Sequence, residues 1–242
     1  MFRNLFFAAI LAAICAGLAF AAVQQWRLVP LIVAAESFEG AAEPHVHDTA
    51  AAVEAHAHDH GADEWMPQDG FERTAYTVLA SLLAAAGFAL VIGAVSVIIG
   101  VPITAANGIL WALGGFAAFS LAPAFGLPPG LPTMPVAETL NRQIWWWGTA
   151  IATGSAILLF ARVRAPWALA VAAVLVALPH VIGAPQPPVE PTDVPAGIAA
   201  AFAASVLFTN AMMWVILGLA MGFASDWLAR RGPAAAIQPR TA

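Results

Sequence analysis

The sequence predicts an all-α fold: an integral membrane helical bundle of about six transmembrane helices, with the N-terminus and C-terminus both cytoplasmic. Three observations lead there. Hydrophobic residues make up 61% of the 242 and charged residues only 10%, whereas a soluble domain carries roughly a quarter charged residues to keep its surface wet. The apolar residues come in runs of around 20, the length a helix needs to cross a hydrocarbon core of about 30 Å. The nine basic residues, all arginine, fall where an even number of crossings would gather most of them on one side.

The first run covers Leu5–Gln25, between Arg3 and Trp26-Arg27. Ala19-Phe20-Ala21 offers a small-x-small cleavage pattern, but the run is long for a signal peptide. A second apolar stretch, Leu28–Ala35, follows directly, so a retained helix is expected. Further runs cover Ala75–Gly100, Ile103–Leu121, Ile144–Phe160, Trp167–Ile182 and Ala196–Ala224. Pro102 parts the second from the third, because proline lacks a backbone donor and clashes with the preceding turn. The stretch Arg162–Pro166 parts the fourth from the fifth. The last run is long enough to span with tilt.

With a cytoplasmic N-terminus, six crossings leave Arg3, Arg162, Arg164, Arg230, Arg231 and Arg240 inside. Only Arg27, Arg73 and Arg142 then lie outside, together with the acidic loops, which is the positive-inside bias. Five crossings would strand one arginine-bearing end on the wrong side. The tryptophans agree: Trp26, Trp65 and Trp145-Trp146-Trp147 fall at the outer interface, Trp167 and Trp227 at the inner one. Gly218-x-x-x-Gly222 permits close helix approach. Cys15, the only cysteine, cannot form an internal disulfide and is expected to be a small buried packing residue.

The chain thus reads as one membrane domain over 1–242, with a His- and acid-rich extracytoplasmic loop at 36–72 and a short cytoplasmic tail at 228–242. Pro123–Pro135 and Pro185–Pro195 should form stiff loops, since so many φ angles are fixed. Ten of the fourteen acids lie between Glu36 and Glu72, and five of the six histidines within sixteen residues. The pattern is Glu43-Pro-His45-Val-His47-Asp48, then Glu54-Ala-His56-Ala-His58-Asp59-His60, then Asp63-Glu64. Neutral imidazole suits zinc, copper, nickel and cobalt, and carboxylates complete the coordination. Alternating His-x-His lets several rings of one segment reach a single ion. His45, His47, His56, His58, Asp59 and His60 are therefore the candidate metal ligands, and capture should weaken as pH falls through about 6.5. The bland alternative is a solvated polar loop in which the histidines are incidental.

His180 follows Pro179 near the outer end of the fifth run. It is either a further ligand or a histidine bonded to a neighbouring helix; Asn107 and Asn210 are weaker polar candidates. Glu36 and Glu39 could line an approach to the bundle or be ordinary interfacial charges. Met134, Met212 and Met213 offer soft sulfur but read more simply as packing. No phosphate-binding loop, aspartyl-phosphate motif or nucleophile–base pattern is present. The chain is expected to be no enzyme and to hold no tight cofactor. With no basic stripe, nucleic acid is excluded as a partner; membrane lipid and a homo-oligomer are not.

Several stretches together resemble the CbtA family of predicted cobalt transporter subunits. They are Met1-Phe-Arg-Asn-Leu5, Gln24-Gln-Trp-Arg-Leu-Val-Pro-Leu-Ile32 with Ala35-Glu36, and Leu121-Ala-Pro-Ala-Phe-Gly-Leu-Pro-Pro129. Arg142-Gln-Ile-Trp-Trp146, Leu178-Pro-His-Val-Ile-Gly-Ala-Pro-Gln-Pro187 and Asn210 to Trp214 complete the set. The resemblance implies a bacterial inner-membrane importer of cobalt (or nickel) for cobalamin biosynthesis, acting with a small single-helix, His-rich partner (CbtB-like). It marks Glu36, Arg142, Gln143 and His180 as positions to watch, with Asn210 in the last helix, and makes His45–His60 a variable capture loop. The family is described with five spans, against the six the arginines favour. A metal-binding sensor or scaffold that transports nothing, and a zinc, copper or nickel export or resistance protein, stay open as alternatives.

Overall fold

The computed structural model describes residues 2–38, 68, 70–131, 134–189 and 192–231. Every regular element among them is a helix: α1 (Phe2–Arg27), α2 (Val29–Glu36), α3 (Phe71–Ile99), α4 (Gly108–Phe116), a π-helical turn (Ala117–Leu121), α5 (Ala122–Gly126), α6 (Thr139–Arg162), α7 (Pro166–Ile182) and α8 (Ala196–Arg230). Five of the helical stretches are long and apolar enough to cross a membrane, with α4 to α5 counted as one, and α7 is a shorter apolar helix of 17 residues. The fifth run of the sequence thus exists as a helix at the lower end of spanning length.

Proline and glycine set the boundaries. Pro30 falls in the first turn of α2, where its missing N–H costs no hydrogen bond. α3 ends at Gly100, whose φ of +68° is left-handed. Its N–H and that of Val101 turn back onto the carbonyls of Ser96 and Val97, satisfying groups the helix end would orphan. Pro102 follows and forbids resumption. The π turn precedes Pro123: Ala122 N–H bonds Ala117 O, five residues back, and the wider turn spares the Phe119 carbonyl a collision with the proline ring. The third run is therefore not one regular α-helix, which hydrophobic length alone does not reveal.

The helices pack in the order α3, α1, α8, α4, α6, α7, each against the next. In lipid, small residues rather than hydrophobic exclusion bring helices together. α1 buries Ala8, Ala9, Ala12, Ala13, Ala16 and Gly17, and a Cβ on Gly17 would stand 2.8 Å from Leu82 Cα. Between α4 and α8 the approach is closer still: a Cβ on Gly218 would lie 2.3 Å from Gly108 O, and one on Gly222 2.4 Å from Thr104 O. The Gly218–Gly222 pair serves packing. Cys15, in contrast to the expectation, is exposed on the outward side of α1, because Ala12, Ala13 and Ala16 take the positions that face the bundle.

Successive helices alternate in direction. Gly93 of α3 lies against both Leu5 of α1 and Met221 of α8, and Arg162 at the end of α6 donates to Ile99 O at the end of α3. The first and last helices thus have their free termini at one end, here the terminal end. At the opposite loop end, Gln24 Nε2 donates to Ser81 Oγ (3.1 Å) and Trp145 Nε1 to Pro179 O (3.1 Å). Leu28, Ala35, Leu131, Val194 and Phe202 close a second apolar cluster there.

Candidate functional site

Two polar features stand out at the loop end. The first is a chamber of about 310 Å³ between the proline segment after α5 and the start of α6, walled by Pro128, Pro129, Arg142, Gln143, Trp146 and Trp147. The prolines hold the facing backbone stiff, and the helical spacing of 142, 143, 146 and 147 puts these four side chains along one sector of α6. Arg142 is half-buried and has no carboxylate partner among the described residues. The chamber therefore carries a net positive charge.

The second feature is His180. Its ring meets Trp145 edge-on at 5.7 Å and Phe125 at 6.3 Å. Trp145 is buried against α7 and α5, its indole over Gly126, where a Cβ would come within 2.3 Å of the ring. Pro179 O already accepts from Trp145 Nε1 and from Gly183 N–H (3.1 Å each). That carbonyl is taken, and the one freed by Pro179 belongs to Leu175, a turn deeper. His180 is packed between aromatic rings and is not among the chamber's walls. The resemblance marks His180 together with Arg142 and Gln143, but α6 keeps it apart from them.

Glu36 pairs with Arg73 at 2.5 Å, both side chains a third exposed. The pair joins the end of α2 to the first turn of α3 and so fixes the two ends of the acidic segment. Asn107 holds its own turn, accepting from Thr104 N–H (2.8 Å) and donating to Pro102 O (2.9 Å). Asp226 closes the same turn by accepting from Ala105 N–H (3.0 Å). Asn210 lies half-buried on α8, one turn before Trp214. Met213 is core, and Met134 packs on the loop-end cluster.

The bundle's centre is aromatic. Phe88, Phe119 and Trp214 meet at 4.8 to 5.9 Å, and Trp146 joins Phe119 at 6.0 Å. Trp214 is fully buried, its Nε1–H directed to Ser120 Oγ (3.3 Å) beside the π turn. Among the described residues no three histidine, cysteine or acidic side chains converge on a metal position. His45, His47, His56, His58, Asp59 and His60, with Glu39, lie outside the described residues.

Sequence reasoning missed the Trp145–Pro179 bond, the Glu36–Arg73 pair and the Asp226 clamp. It read Trp145, Trp146 and Trp147 as one interfacial belt. Yet successive helical residues turn by about 100°, enough to send Trp145 to α7 while Trp146 and Trp147 face the chamber.

These features define a multi-pass helical membrane protein with a cationic, tryptophan-walled chamber at one end. Residues 2–226 match the family described as probable cobalt transporter subunit (CbtA), and the chain belongs to it. Neither a curated protein nor a solved structure matches the chain.

Proposed function

We propose that the protein is the membrane subunit of a cobalt (or nickel) importer that supplies cobalamin biosynthesis from the bacterial inner membrane. The observation that carries this reading is the family match over nearly the whole chain. The helices cross six times, the termini and Arg162, Arg164, Arg230 and Arg231 facing the cytoplasm, and the loop end facing out. This reading is supported by the positive-inside bias and by the alternation of helix directions, which puts Leu5 and Met221 beside the same glycine.

The imidazoles and carboxylates of residues 43–64 gather the ion from dilute solution. A bare dication entering the chamber meets the Arg142 guanidinium and is repelled, so it must arrive with its charge compensated by carboxylate ligands. Gln143 offers a neutral amide oxygen to such a complex. Beyond the chamber, the Phe88–Phe119–Trp214 cluster fills the core, and an unsolvated ion cannot cross it at tolerable cost. A partner must therefore complete the route, in keeping with a family whose members work as parts of a transporter. A small single-helix protein bearing histidines has the right chemistry. His180 and Asn210 are polar groups on the loop side of that aromatic plug, from which a route would open.

The test is uptake of radioactive cobalt at trace concentration by cells with and without this chain. Uptake should fall when the chain is deleted and return with the chain and its small partner. Unchanged uptake removes the import reading, and increased cellular cobalt would point to export.

A further inference from the structure

A second and larger cavity, about 590 Å³, runs along the side of the bundle between α3, α4 and α6. Its walls are apolar and in part very small: Val95, Leu110, Gly114, Ala118, Gly154 and Leu158. From Trp147 to Arg162, the extent of α6 along it, the groove is about 22 Å long at 1.5 Å per residue. Arg162 closes its terminal end, spending one N–H on Ile99 O. A guanidinium has five donors, and Arg162 meets no carboxylate among the described residues. The next arginine, Arg164, is two residues further on.

Size decides between the occupants that an apolar groove in a membrane could hold. A spanning helix about 10 Å across and 30 Å long displaces about 2,400 Å³, so it could lie over the open side of the groove but not fill it. A hydrocarbon chain is about 4 Å across at carbon contact distance, so one or two such chains fit. A basic group between helices at the membrane surface, above an apolar slot, is a pattern suited to anionic lipid headgroups. We propose that this groove is a binding site for an anionic phospholipid, with the phosphate on Arg162 and the acyl chains against Gly114, Ala118 and Gly154. The lipid bridges α3 and α6, which otherwise join at this end through the Arg162–Ile99 bond, and so braces α4 from outside.

The full-length protein is purified in a neutral detergent. Phosphatidylglycerol and phosphatidylcholine with the same acyl chains are added in equal amounts, and retained lipid is read by native mass spectrometry. Phosphatidylglycerol should be kept over phosphatidylcholine by about tenfold: both offer a phosphate to Arg162, but the choline cation of the second cancels its net charge and is repelled by the guanidinium. Arg162→Gln should level the two, while Arg162→Lys keeps most of the preference. Gly154→Trp should abolish retention of both; a Cβ there meets only Ala118 Cβ at 3.9 Å, so the indole has room to fill the groove without moving a backbone. Equal retention by the unaltered protein overturns the proposal. So does a preference that survives Arg162→Gln, or retention that survives Gly154→Trp.

Discussion

Replacing Gly218 by alanine tests whether α4 and α8 touch backbone to backbone. The added methyl would lie 2.3 Å from Gly108 O and 2.7 Å from Ala112 Cβ, where carbon contacts settle at about 3.5 Å or more. A carbonyl in a helix cannot rotate aside, so the helices must part by about 1 Å over this contact. Overpacking of this kind costs about 3 kcal/mol at the upper end of its usual range. Alanine's better helix propensity returns about 1 kcal/mol. A net loss of about 2 kcal/mol should lower the melting temperature by about 4–8 °C for a chain of this size. The control is Gly87→Ala on α3, where a Cβ meets nothing within 4 Å; it should melt at the same temperature or slightly higher. The assay is thermal unfolding followed by tryptophan fluorescence in detergent, which Trp214 and Trp111 report. Equal melting of the two variants would refute the close approach, and with it the placement of α8 against α4.

Three further outcomes are expected. Reporter fusions at residue 50 and after residue 231 should place the first outside and the second in the cytosol; a cytosolic residue 50 reverses the orientation and the harvesting role of the histidines. Deleting residues 43–64 should weaken cobalt capture at trace concentration yet spare uptake at high concentration. In the intact chain, capture should decline as pH falls through about 6.5, because only neutral imidazole binds metal and protons compete for it; pH-independent capture between 7.5 and 5.5 (roughly one unit either side of that value) excludes histidine ligation. Trp145→Phe keeps the ring over Gly126 but leaves Pro179 O one donor short, and should cost about 1 kcal/mol, read as a melting shift of about 2–4 °C.

Most of the bundle was legible because the bilayer imposes a length on every spanning helix, and each predicted apolar run contains a helix. Pro30, Gly100, Pro102 and Gly183 mark boundaries by backbone rules that need no tertiary knowledge. The π turn at Ala117–Leu121 was not legible: it answers a local conflict around Pro123 that hydropathy does not register. The site was legible in part. Arg142 and Gln143, which the resemblance marked, line one chamber. Its other walls, Pro128 and Pro129, come from a different segment, and only tertiary packing brings them there. Glu36 was read as lining an approach or as an interfacial charge, and it is paired with Arg73, a partner 37 positions away across the acidic segment. His180 was read either as a ligand or as a histidine bonded to a neighbouring helix; it lies between the rings of Trp145 and Phe125, a neighbourhood that only tertiary packing creates.

The most direct test of the account is cobalt flux into sealed proteoliposomes containing the purified chain, with and without its small partner, read by a metal-quenched dye trapped inside. Rapid quenching with both proteins, and slow or no quenching with this chain alone, is the result the account predicts. Absence of flux with both present, or full flux through this chain by itself, would contradict it.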